Sequence, residues 1–182
     1  MINGYSQLVS DFFSIDYFGK TVALSPVPPK RGVSLSGLLS QLIAVGGSND
    51  TRELKICEKF SVITNKWIGL PPLNISRLKP GSILLESMRS FCFCGWTRHE
   101  GALNSIETID PEKESQWTTL PLSIAKANDI AAAHYKTKIV LFGEENIGSF
   151  LTYVLNEEGE LEQDCSHDPL TPSAVRSGSF TV

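Results

Sequence analysis

The 182-residue chain lacks most of what would mark a secreted, membrane-spanning or nucleic-acid-binding protein. It has no apolar run of the roughly 18 residues that suggest a spanning helix. Met1 to Phe18 contains Asp11 and Asp16 but no Lys or Arg, so the basic start of a secretory leader is missing. Four cysteines are too few for a disulfide-built scaffold. Cys92 and Cys94 form a C-x-C pair with no neighbouring Cys or His, a poor zinc set. They are read as small packing residues that share one face of a strand. Sixteen Lys and Arg against twenty Asp and Glu leave a net charge of −4, without the concentrated basic surface that duplex DNA requires. A cytoplasmic location is expected, with neither nucleic acid nor membrane as partner. The triplets Asn49-Asp-Thr51 and Asn74-Ile-Ser76 are read as chance matches to a short glycosylation pattern.

Catalytic constellations are equally scarce. His99, His134 and His167 show none of the close spacings of a metal-binding pair. No phosphate-cradling glycine loop follows Gly46-Gly47, and no G-x-S-x-G elbow is present. Glu144-Glu145 and Glu157-Glu158 are sequence neighbours, which point apart on a strand and cannot share a proton. The expectation is a non-enzyme with no metal and no cofactor.

What the chain does have is a repeat. Leu42 to Gly47, Phe91 to Gly95 and Ile139 to Gly143 are apolar runs ending in glycine, and Gly47, Gly95 and Gly143 are 48 residues apart. Trp67 and Trp117 follow the first two glycines by 20 and 22 residues. Leu70-Pro71-Pro72 and Leu120-Pro121 come directly after, with Asp168-Pro169 at the same offset in a third unit that has lost its Trp. Arg77, Lys126 and Arg176 come next, each before a stretch of small residues, and Arg31 is read as the same marker one unit earlier. Short apolar runs separated by turn signals such as Thr64-Asn65, Gly101 and Asp110-Pro111 read as four strands per unit. Four strands in about 48 residues make one propeller blade. A short helix over Ile124 to His134 is the rival reading of the alanine-rich stretch.

These residues resemble the kelch repeat of the galactose oxidase-like propeller superfamily. The matches run Gly46-Gly47, Glu58, Trp67, Leu70-Pro71 and Arg77, then Gly95, Glu107, Trp117, Leu120-Pro121 and Lys126, then Gly143. The resemblance implies an all-β kelch-type propeller over residues 15–182, after an extension at 1–14. Its units would lie near 15–30 (partial), 31–76, 77–125, 126–175 and 176–182 (partial). Three full blades cannot close a ring, so either the two part-units combine into a fourth blade one strand short or, the preferred reading, the propeller is incomplete with open edges that can self-associate. The glycines and tryptophans are read as blade-building residues.

The resemblance further implies a protein-interaction module or scaffold that docks a partner on one face. The loops expected there bring Arg31, Arg52, Arg77, Arg98, His99 and Lys126 together, a cationic set suited to an acidic peptide. The alternative role of the Arg of each repeat is structural, satisfying loop carbonyls or pairing with a neighbouring carboxylate. A propeller-face enzyme such as a sugar mutarotase and an actin-associated scaffold are the alternatives.

Overall fold

The computed structural model describes residues 12–15, 21–25, 30–38, 41–49, 51–146 and 149–164, and among these there is no helix. In chain order the strands are β1 (Phe12–Ile15), β2 (Thr21–Leu24), β3 (Ser34–Leu38), β4 (Gln41–Val45), β5 (Cys57–Ser61), β6 (Lys66–Leu70) and β7 (Gly81–Leu84). They continue with β8 (Ser90–Phe93), β9 (Trp96–Thr97), β10 (Gly101–Ile109), β11 (Thr118–Tyr135), β12 (Lys138–Asn146), β13 (Ser149–Asn156) and β14 (Leu161–Asp164). All pairings between these strands are antiparallel.

The fold is all-β and of kelch-propeller type, and among the described residues it closes no ring. Strands β3-β4-β5-β6 form one four-stranded blade. Strands β7, β8, β10 and the first half of β11 form a second. The second half of β11 with β12, β13 and β14 forms a third. Strand β11 serves both of the last two blades, so they merge into one eight-stranded sheet. It pairs β10 through Leu103↔Ala127 and Glu107↔Thr119, then β12 through Asn128↔Glu144 and Tyr135↔Lys138. Register shifts interrupt both ladders, and Asp129 adopts φ +50°. Such irregularities bend a strand. Ile124 to Tyr135 pairs first with β10 and then with β12, so the alanine-rich stretch is strand rather than helix. The sequence boundary between 125 and 126 therefore falls inside β11.

Two apolar clusters hold the blades. Ile43, Val45 and Cys57 of the first blade meet Leu84, Cys92, Ile109 and Trp117 of the second. The other face of the second blade packs Phe91, Phe93 and Ile106 against Ile139, Leu141, Tyr153 and Leu155 of the third. Alternation on β8 explains the division, since Phe91 and Phe93 stack 5.9 Å apart on one face while Cys92 points to the other. Cys94 does not follow Cys92. It lies past the strand end at φ +50° and turns into the cluster with the two phenylalanines. The expectation of two thiols on one face is thus corrected, because extended geometry ends at Phe93.

The inner strands β3, β7 and β11 lie side by side. Ser34 and Ser82, 48 residues apart, share a hydroxyl hydrogen bond of 2.8 Å. A Cβ on Gly81 would lie 2.7 Å from Ile130 Cγ2, so glycine permits this approach. The repeat glycines fall into two kinds. Gly47 and Gly95 sit at φ +93° and +95° after strand ends, where a Cβ would lie 2.9 Å from the carbonyl oxygens of Arg31 and Leu78. Gly143 lies within β12, which runs on to Asn146, and a Cβ there would meet Ile130 Cγ1 at 2.7 Å. The third apolar run does not end in a glycine turn; its glycine is a contact point for β11.

Candidate functional site

Alternating strand direction gives the blades two ends. One end carries the turns 62–65, 85–89, 110–116, 136–137 and 157–160. The other carries segments 30–33, 46–56, 71–80, 94–100 and 124–129. Backbone hydrogen bonds stitch this second, loop end together. Arg31 and Ser48 exchange N–H···O bonds of 2.9 and 2.8 Å, and Leu78 and Trp96 exchange two of 2.9 Å. The Gly47 N–H donates to the Arg77 carbonyl at 2.7 Å, and the Lys79 N–H to the Gly32 carbonyl at 2.8 Å. Lys79 Nζ then reaches Asp129 Oδ1 at 2.9 Å, tying in β11.

Most of the sequence-predicted cations stand on this end, but Arg77 does not face a partner. It is fully buried, 0 % exposed. Its Nε and Nη2 donate to Glu107 Oε1 at 3.2 and 2.8 Å. Its Nη1 donates to the Cys94 and Ser105 carbonyls at 2.7 and 2.9 Å, and Nη2 also to Ser105 Oγ at 2.9 Å. Glu107 is equally buried and accepts the Asn74 and Ile75 N–H groups at 2.6 and 3.2 Å. The guanidinium therefore clamps the connector after the first blade to the third strand of the second. Of the two roles expected for it, Arg77 takes the structural one, and a saturated interior cation has no donor left to offer a partner.

The first blade repeats the device with Lys30 and Glu58, an ion pair in which the lysine is buried. The reciprocal bonds align Arg31 with Leu78, so Lys30, not Arg31, is the counterpart of Arg77. Strand pairing locates the acid. Glu58 opposes Ala44 and Glu107 opposes Cys92, each three residues before the strand-end glycine. In the third blade that position, Val140, opposes Val154, so no carboxylate is present and Lys126 is left exposed on β11. A signal was available in the sequence. Glu58 and Glu107 each interrupt a core-forming strand, and an interior carboxylate needs a cation.

The tryptophans each bridge to an earlier segment. Trp117 Nε1 donates to the Pro71 carbonyl at 2.9 Å, and Trp67 Nε1 donates to the Ser25 carbonyl at 2.9 Å. Each indole reaches back to the segment ending the preceding unit.

Arg31, Arg52, Arg98, His99 and Lys126 are exposed. The loop holding Arg52 is preset, because Asn49 Oδ1 accepts the N–H and hydroxyl of Thr51 at 3.0 and 2.9 Å and the Arg52 N–H at 2.9 Å. The loop holding Arg98 and His99 is fixed by Glu100 N–H donating to Thr97 Oγ1 at 3.0 Å. Among the described residues, no carboxylate lies within ion-pair distance of Arg52, Arg98 or Lys126. His167, Asp168-Pro169 and Arg176 lie outside the described residues.

Other chemistry is sparse. Burial pushes the Cys57 and Cys94 thiols up to about 12 and raises Cys92 as well, so all three are poor nucleophiles. No group of three His, Cys, Asp or Glu among the described residues could hold a metal. A cavity of about 190 Å³ between β3, β7 and β11 offers the Ser34 and Ser82 hydroxyls, and its lining of small and apolar side chains includes no titratable group. No helix of the described residues is long and apolar enough to cross a membrane.

No curated protein matches the chain. Residues 29–74 match the family model of the kelch motif, a span that starts just before the buried Lys30 and includes the whole of the first blade. Residues 29–74 thus carry a kelch motif, and its ion pair and indole bridge recur in the second blade.

Proposed function

We propose that this chain is a cytoplasmic, non-catalytic interaction module that binds an acidic peptide segment of a partner protein across its loop end. The observation that carries this reading is the division of the cations. Lys30 and Arg77 are spent on interior carboxylates, whereas Arg52, Arg98 and Lys126 stand exposed on the same end, with His99 beside Arg98. Arginine presents a planar fork to carboxylates, so two arginines on adjacent blades can engage two acidic side chains of one extended peptide. The loops are already held by internal hydrogen bonds, which reduces the ordering cost of binding.

Fluorescence anisotropy with a labelled Asp/Glu-rich peptide tests this. Arg52→Ala combined with Arg98→Ala is expected to weaken binding about two- to thirtyfold at about 50 mM salt, given about 0.2–1 kcal/mol per exposed pair. The melting curve should not change. Equal affinity for both proteins at matched salt would overturn the proposal.

A further inference from the structure

The turn end is acidic, and the loop end of the first two blades carries a small excess of cations. By sequence, the turns 85–89, 110–116, 136–137 and 157–160 hold seven carboxylates and three cations. The loop segments 30–33, 48–56, 71–80, 94–100 and 124–129 hold eight cations and four carboxylates. Two of those eight, Lys30 and Arg77, are buried in ion pairs, so the solvent-facing excess is smaller. Glu144 and Glu145 near the end of β12 place that excess on the first two blades. At the turn end, Glu86 and Glu158 are exposed, and among the described residues neither has a cation within ion-pair distance. At the same end Ile63 is 82 % exposed at the tip of the β5–β6 turn, next to Val62 at 45 %. Exposed large apolar side chains on a charged end are the composition of a contact patch.

We infer that the acidic partner of the loop end includes a second copy of this chain, docked by its acidic turn end. This rests on the proposed function, which assigns acidic ligands to the loop end. The contact is heterologous, because one surface of the first copy meets a different surface of the second, so copies add head to tail. Its ion pairs lie at the rim and are screened by salt, while Ile63 and Val62 provide the apolar centre.

Sedimentation velocity on the full chain over a concentration series, at about 20 and 500 mM NaCl, tests the inference. The average mass should rise with concentration at low salt and fall to the monomer at high salt. Two charge-reversed proteins are decisive, each first checked for an unchanged melting curve. Arg52→Glu/Arg98→Glu removes the loop end's cation excess, and Glu86→Lys/Glu158→Lys cancels the turn end's acidic excess. Each alone should associate at least tenfold more weakly, and an equimolar mixture should recover association. A monodisperse monomer throughout would overturn the inference; if that monomer still bound the acidic peptide, the peptide-binding reading would stand. Association that ignores salt and both reversals would also overturn it.

Discussion

Replacing Arg77 by Met is the most informative perturbation of the fold. It keeps the aliphatic stem and removes the guanidinium, leaving Glu107 buried with only the N–H groups of Asn74 and Ile75. It also strips the donor from the Cys94 carbonyl and from Ser105. Breaking a buried pair from one side costs about 3–5 kcal/mol. Domains of this kind have about 5–15 kcal/mol in total. With a urea slope of about 2 kcal/mol/M, the midpoint should drop by about 2 M. Urea titration followed by tryptophan emission reads this directly, because Trp117 donates to Pro71 in the same connector. The double variant Arg77→Met/Glu107→Leu should regain most of the loss, since replacing both partners by apolar groups leaves no orphaned charge. In the first blade Glu58 is partly exposed, so water solvates the abandoned carboxylate and Lys30→Met should cost less, about 1–3 kcal/mol. An Arg77→Met midpoint equal to wild type, or a double variant worse than either single one, would refute the reasoning.

Three further outcomes follow from local geometry. Gly47→Ala and Gly95→Ala each place a Cβ at positive φ against a carbonyl oxygen and should cost about 1–3 kcal/mol in the same titration, whereas Gly69→Ala, with nothing near its Cβ position, should cost under about 1 kcal/mol. The bond from Lys113, joined by the Glu112 N–H, outweighs burial and holds the Asp110 carboxyl below its ordinary range. Its stabilising effect is thus complete above about pH 4 and lost as pH falls through the folded-state value, so an Asp110→Asn protein should be less stable than wild type at pH 7 with the gap closing below about pH 4. A Cys165→Ser protein should show no fast reaction with a thiol reagent when native and three thiols in urea, because Cys57, Cys92 and Cys94 are all buried.

The blade architecture was legible because it rests on residues whose roles are local. Gly47 and Gly95 announce left-handed backbone, and Trp67 and Trp117 announce large interfaces with an N–H to satisfy. Their spacings of 48 and 50 residues placed them in equivalent positions before any contact was known. What was hidden depended on register. Lys30 and Arg31 are adjacent, and only the pairing of Arg31 with Ser48 decides which one enters the interior. Arg77 read either as a partner contact or as a structural cation, because its carboxylate, Glu107, is 30 residues away on another strand. The fusion of two blades through β11 was unreadable for another reason. Alanine carries neither a strong strand preference nor a stop signal, so the run from Ala131 to Ala133 is decided by the sheet it joins.

Hydrogen–deuterium exchange with and without saturating acidic peptide tests the central claim most directly. The loop end should gain protection at 48–53 and 96–101, with turns 110–116 and 157–160 unchanged, as measured at a protein concentration where the chain is monomeric. Protection confined to those turns, or spread evenly over the blades, would contradict the assignment of partner binding to the loop end.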